Sequence, residues 1–537
     1  MTDFVTMAMD IMTPLMDPLT AQQAGSHVRD DDLQDLSPAT SAALAATLRD
    51  ASHALSQVDT EGLDPEERVD HAVLASTVDA RLFALTETRD HEWNPLLHNP
   101  GPLLDALLRR EYMPAAERLT HLANRLVAVP DALATARAML TDMPALHVRT
   151  AITQFTGTAA LVRDEVPRLL AGEPRLAERI GSARQAALAA LAEFVDWLRV
   201  RAAEPGRDPR LGRPLWEAKL WHTLDTPMTA AELNRRAWAA LESVTDEMHE
   251  VAAAMTGGPP GDNTVRAALA EAAGRHPDSG SIVELARTAL AEATAFVAQF
   301  ELVSLPADPI EVREMPEYQR GVAGAYCDAP GPMTAGTLPT VYAIAPPPAD
   351  WPASRVASFY REYNDDMVRN LTVHEAMPGH HLQLAHARRF AGSTPVRAVF
   401  TSGTFIEGWA AYAEHLMADH GFGGPAVRLQ QLKMQLRTII NAILDQAVHC
   451  DGLAEPDAMA LLTGRGFQEE GEAAAKWQRA QLTSTQLSTY FVGYTELRAL
   501  ATRRPADTDL RAWHDALLAH GSPSPRHLHD ILPTLPT

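Results

Sequence analysis

Cysteine is almost missing from this chain: Cys327 and Cys450 are its only two. That excludes a disulfide framework and any cysteine-rich structural zinc site. Long apolar runs are missing too, so no segment reads as a membrane span. Positive charge is in deficit, with a formal net charge of −23. Nucleic-acid phosphate needs clustered Lys and Arg and is excluded as a partner. Residues Met1 to Thr20 have no basic stretch ahead of their apolar residues and carry Asp3, Asp10 and Asp17, so they do not read as a secretory signal. These absences give a cytoplasmic protein as the expectation. No G-x-S-x-G elbow and no G-x-x-x-x-G-K-[ST] loop occurs, which leaves serine-nucleophile and phosphate-loop chemistry without support.

What is present is helix grammar on a large scale. A chain of 537 residues, 46% apolar and 21% charged, has the composition of a globular protein with a sizeable core. From Ser37 to about Ala203, apolar residues recur at three- and four-residue steps, as in Leu44, Leu48 and Leu55. Ser37-Pro38 is a helix start, and Pro95, Pro100 and Pro130 read as breaks. No fixed repeat period appears, which argues against a solenoid. Ala203 to Met228 reads as a loop carrying Trp216 and Trp221. Helices are expected from Thr229 and over Ser281 to Phe300, separated by Gly257-Gly258-Pro259-Pro260-Gly261.

From Pro309 to Pro346 the pattern changes. Ile310 to Val312, Gly321 to Cys327 and Thr340 to Ala345 are short, β-branched or aromatic, and bounded by Pro and Gly. They predict a small sheet whose Tyr326 and Tyr342 line a cleft or fill the core. A helix over Pro352 to Leu371 then leads into Thr372-Val373-His374-Glu375-Ala376-Met377-Pro378-Gly379-His380-His381-Leu382-Gln383.

That stretch holds the donors of a zinc site, for which imidazoles and carboxylates are the ligands and an open fourth position the mark of catalysis. The usual spacing is H-E-x-x-H, one helical turn. Here His380 is at i+6, about 600° around a regular helix, and His381 at i+7, about 10.5 Å along it. Pro378 has no N–H for the carbonyl of His374 and crowds it, while Gly379 accepts unusual backbone angles. A bulge absorbing two residues would make His374 and His380 the ligand pair, with Glu375 as general base. Geometry favours His380; His381 is the alternative.

The third ligand is expected farther on. Ile406, Trp409, Ala410, Ala413, Leu416 and Met417 form an apolar stripe. Glu407 lies beside it, where a buried carboxylate needs a cation. Glu414, two turns later, either orients a ligand or is solvated. Amphipathic helices follow over Ala426 to Cys450, Glu469 to Leu482 and Thr485 to Leu500, the last carrying Tyr490, Gly493, Tyr494 and Arg498.

H-E-A-M-P-G-H-H-L-Q, followed by E-G-W-A-A-Y-A-E from Glu407, resembles the bacterial family called domain of unknown function 885. Weaker likenesses at Trp216-Glu217 and Tyr490-Phe491-Val492-Gly493 extend the resemblance over nearly the whole chain. It implies kinship with zincin-like metallopeptidases of the gluzincin type. The implied fold is mainly α, a large multi-helix array with a small β-sheet beside the active-site cleft. Residues 1–300 would form a helical region covering that cleft, and 301–537 the catalytic region, joined in one structural unit. The family pattern keeps P-G-H, which strengthens His380 over His381, and its Tyr-x-x-Gly element suggests Tyr490 as oxyanion donor. Tyr494 and Arg498 are weaker candidates for binding a peptide carboxylate. The resulting expectation is a one-zinc hydrolase of peptides or small amides; the alternative is a helical binding protein with a structural or vestigial metal site, closed by His381 as a fourth ligand.

Overall fold

The computed structural model of the protein describes residues 3–316, 320 and 324–532. Helices make up most of it, beside one three-stranded sheet. The chain forms two units: Met1–Pro209 with Gly331–Gly336 and Ser393–Val399, and Arg210–Pro330 with Thr337–Gly392 and Phe400–Thr537. The boundary therefore falls near residue 209 and not at 300. The reason is packing. Trp216, Leu220, Leu233 and Leu241 share one core with Leu429, Leu436 and Ile443, so the helices of 213–256 belong with the later chain.

The first unit contains the helices Pro38–Ser56, Pro65–Phe83, Ala115–Met139, Ala145–Leu170 and Ala177–Arg201. Ser37 caps its helix by accepting from the Thr40 amide at 3.3 Å, as a serine before proline should. Pro130 does not break the chain as expected but sits inside Ala115–Met139. Leu126, Val129 and Leu133 are buried on either side of it, and that packing carries the helix past one missing hydrogen bond.

In the second unit the predicted loop around Trp216 is a helix, Arg213–Leu224, opened by Pro214. Trp216 is fully buried and its indole N–H donates to Asp445 at 3.0 Å. The sheet comprises β1 (Ile310–Glu314), β2 (Ala325–Asp328) and β3 (Thr340–Ile344) in the order β1-β3-β2. β1 runs parallel to β3, pairing Ile310 with Thr340, and β2 antiparallel to it, pairing Ala325 with Ile344. Residues 321–323 of the second predicted strand lie outside the described residues.

The single helix expected before the histidines is two. Ala353–Glu362 ends, and the Asn364 side chain accepts from the amides of Asp366 and Met367 to start α1 (Asp365–Glu375); asparagine at an N-cap satisfies donors the helix leaves open. Then come α2 (His380–Ala387), α3 (Gly403–Asp419), α4 (Gly424–Asp451), α5 (Glu470–Leu482) and α6 (Thr489–Ala501).

Candidate metal centre

The H-E-A-M-P-G-H segment works by a break, not by the expected bulge. α1 stops at Glu375, the Met377–Pro378 bond is cis, and α2 starts at His380. Gly379 turns back so closely that a Cβ there would lie 1.9 Å from the His374 carbonyl oxygen, and its amide donates to Val373 at 2.9 Å. Only glycine fits such an approach. The Pro378 carbonyl is taken by the Trp409 indole N–H at 2.8 Å, which pins the break to α3. His374, on the last turn of α1, thereby meets His380, on the first of α2, edge to face with ring centroids 4.7 Å apart.

α3 supplies Glu407. Its Oε2 lies 3.6 Å from His374 Nε2 and 3.5 Å from His380 Nε2. Ligand atoms of these three residues all fall within 4.8 Å of one another, and they are the group of that kind among the described residues. Glu407 Oε2 is buried without a hydrogen-bond partner. These separations are long for hydrogen bonds yet close to the edge of about 3.4 Å that tetrahedral zinc with bonds of about 2.1 Å sets between its donors. The donor set fits a divalent transition metal. Burial alone would raise the Glu407 carboxyl, but the two imidazoles outweigh it and hold the group below the ordinary range. Burial disfavours charge on His374 as well, and there Glu407 and Glu414 prevail, raising it well above a free imidazole. Without metal the cluster thus retains a proton that an ion must displace.

Glu414 is buried, and its Oε1 takes a hydrogen bond from His374 Nδ1 at 2.7 Å. Its other oxygen accepts from Asn370 at 2.6 Å. A solvated role is thereby excluded: Glu414 orients the His374 ring with its Nε2 toward the centre and holds the Nδ1 proton that a metal-binding imidazole would keep. Asn370 is a support that sequence reasoning missed, because nothing in its neighbours marks its partner 44 residues away. His381 is 1% exposed, its ring pushed down to about 4 by burial, and it stays outside the converging group.

Glu375 closes α1, buried, with no side-chain hydrogen bond to a described residue. Burial raises its carboxyl, opposed by His374 and His380. Tyr342 does not line an open cleft: it is 0% exposed, with its hydroxyl 3.1 Å from Thr372 Oγ1 beneath α1.

Tyr490 is half-buried on the first turn of α6, its hydroxyl accepting from Arg479 at 3.4 Å. α6 crosses α3 at glycines on both sides; a Cβ on Gly408 would lie 2.4 Å from the Gly493 backbone. Both glycines belong to motifs quoted above, and their smallness was the signal for this crossing. Tyr494 and Arg498 turn elsewhere. The Tyr494 hydroxyl accepts from Arg498 at 3.0 Å and Gln435 at 3.2 Å, and its ring packs on His415.

Fold and site together define a mainly helical protein with a partly buried His-His-Glu cluster that could hold one divalent ion. The chain belongs to the family described as "Bacterial protein of unknown function (DUF885)", whose model matches residues 18–532. It is similar to a solved "putative lipoprotein of unknown function" from Shewanella oneidensis, 26% identical, covering 99% of this chain and 100% of that one with a TM-score of 0.82. A second, the "putative lipoprotein" from Colwellia psychrerythraea, is 18% identical over 98% of both chains with a TM-score of 0.80, a likeness of fold. An M32 carboxypeptidase from Deinococcus radiodurans R1 reaches a TM-score of only 0.32 at 13% identity over 91% of this chain and 88% of that one, which carries no argument. No curated protein matches the chain.

Proposed function

We propose that this protein is a zinc-dependent hydrolase cleaving amide bonds of short peptides. The observation that carries the reading is the convergence of His374, His380 and Glu407 beside a buried Glu375 with no hydrogen-bond partner among the described residues. Three protein ligands leave a coordination position for solvent, as catalytic zinc sites do and structural sites do not. Bound there, zinc would polarise a water and the scissile carbonyl. Glu375 accepts the proton of that water and returns it to the leaving amine; its raised proton affinity suits both steps. Glu414 and Asn370 keep His374 oriented. Tyr490 is the candidate donor to the oxygen that becomes negative. The alternative of a closed structural site needs a fourth protein ligand, and His381 is outside the group.

The two solved relatives are described as lipoproteins. For this chain a cytoplasmic location is retained as the proposal, on its two free cysteines, and subcellular fractionation decides between the two. The activity is tested by giving zinc-loaded protein a mixed-peptide library and reading cleavage positions by mass spectrometry. Glu375→Gln should keep its zinc and lose about 10²–10⁴-fold in turnover. Undiminished turnover in that variant removes Glu375 from its role.

A further inference from the structure

α5 carries two cations, Lys476 and Arg479, that form no ion pair with a described residue. Lys476 is 6% exposed, yet its ammonium makes no hydrogen bond or ion pair with a described residue. Burial is the main force lowering its proton affinity, and Arg437 and Arg479 add to it. Glu472 opposes them weakly, being engaged with Arg437 at 2.8 Å. Nearby Lys433, equally buried, has its own carboxylate, Glu362, at 2.7 Å. Arg479, half-buried, reaches only neutral groups: Gln486 Oε1 at 2.9 Å and the Tyr490 hydroxyl at 3.4 Å. A charge on a side chain that is nine-tenths buried and has no partner among the described residues is costly. Its retention points to a ligand.

The position of this pair is informative. Lys476 and Arg479, three residues apart on a helix, share one face. Arg479 touches Tyr490, one turn before Gly493, and Gly493 packs on Gly408, the residue after Glu407. The Arg437–Glu472 pair brings α4 and α5 together, and Asn441 lies one turn beyond it on α4, as Lys476 does on α5. The Asn441 Oδ1 is buried with no hydrogen-bond partner, an acceptor free for a peptide N–H. The unused groups are thus cationic at one end and neutral polar beside it.

We propose that Lys476 and Arg479 receive the free C-terminal carboxylate of a peptide substrate, making the hydrolase a carboxypeptidase. This rests on the metallopeptidase reading above and adds the end of the substrate it recognises. A guanidinium fork and an ammonium match a planar carboxylate. A terminal carboxylate is common to all peptides, so such a site would select chain ends without demanding a particular residue.

The test compares N-blocked peptides identical except for a terminal carboxylate or carboxamide, with zinc-loaded full-length protein. The acid should be favoured about a hundredfold in kcat/KM. Lys476→Met and Arg479→Gln should each collapse that preference, chiefly through KM, and Lys476→Arg should restore part of it. Calorimetric binding of the same peptides to zinc-loaded Glu375→Gln protein gives a readout without turnover, in which the acid binds tighter and Lys476→Met abolishes the difference. Arg479→Gln, at a half-exposed position, serves if the Lys476 variant fails to fold. Equal cleavage of acid and amide, or a preference surviving both substitutions, overturns the carboxylate site and leaves the hydrolase. Lys476-dependent binding of the acid with no cleavage overturns the hydrolase and leaves the site as a carboxylate receptor. An amide ending in an aspartyl side chain that binds as tightly as the acid overturns chain-end recognition.

Discussion

Two buried charged clusters, one in each unit, are built on opposite principles. In the first unit Arg397, fully buried, donates to Asp70 Oδ1 at 2.5 Å and to the Glu66 carbonyl at 3.3 Å. The Thr394 hydroxyl takes the other Asp70 oxygen at 2.6 Å. Both oxygens of Asp70 are used, and the network ties residues more than 320 positions apart. In the second unit Glu407 Oε2 is buried without a hydrogen bond, 3.6 Å from His374 Nε2 and 3.5 Å from His380 Nε2. A saturated network holds a fold together; an unsaturated one whose open atoms converge is held ready for something else.

Breaking the saturated cluster should have the largest effect. Asp70→Ala leaves buried Arg397 with the Glu66 carboxylate at 2.7 Å as its remaining anion, and should cost about 1.5–3 kcal/mol in denaturant unfolding, with the zinc content of the folded protein unchanged. A loss below about 1 kcal/mol would class the pair with surface bridges. At the unsaturated centre, Glu414→Ala should weaken metal affinity about 10–100-fold in chelator competition; an unchanged affinity would detach Glu414 from His374. Lys476→Met should raise stability at neutral pH by about 1–3 kcal/mol. The folded state holds the lysine's proton less well than the unfolded chain does, so the ammonium opposes folding below its ordinary range. A destabilised variant would mean that Lys476 has a structural partner.

The smallest effect is the pH slope contributed by His514, a saturated group within the second unit. Its Nδ1 donates to the Leu302 carbonyl at 2.6 Å and its Nε2 accepts from Tyr412 at 2.8 Å. Burial pushes the ring down to about 4. Between the ordinary value of about 6.5 and that point the unfolded chain binds the extra proton. Stability is therefore full above the upper limit and falls as pH drops through the window. Thermal melts of wild type and His514→Gln should converge as pH falls, the variant having the shallower slope.

Much of the His-His-Glu cluster was legible because its members are local or patterned. His374, Glu375 and His380 lie within seven residues, and Glu407 shows itself by flanking an apolar stripe. The form of the join was not legible: Pro378 and Gly379 announce a disturbance, but whether the helix bulges or breaks depends on Trp409, which reaches the Pro378 carbonyl from another helix. The strands were marked by their Pro and Gly borders, whereas the parallel pairing of β1 with β3 comes from the chain's path around them. Pro130 was misread because tertiary packing carries its helix past a local proline signal, and the Trp216 segment because Pro214 stands at the first turn of a helix, where it starts the element and does not break it. Lys476, Arg479 and Asn370 carried no local sign, since their meaning lies in which distant partners they have or lack.

The account stands on one ion held by His374, His380 and Glu407 with a position left for solvent. Zinc-edge X-ray absorption on the reconstituted protein, with Glu407→Ala beside it, addresses that directly. The account predicts one zinc per chain, two imidazoles and oxygen donors including solvent at about 2.0–2.2 Å, and loss of the ion in the variant. Failure to retain stoichiometric zinc, or a shell closed by four protein side chains with no solvent, would contradict it.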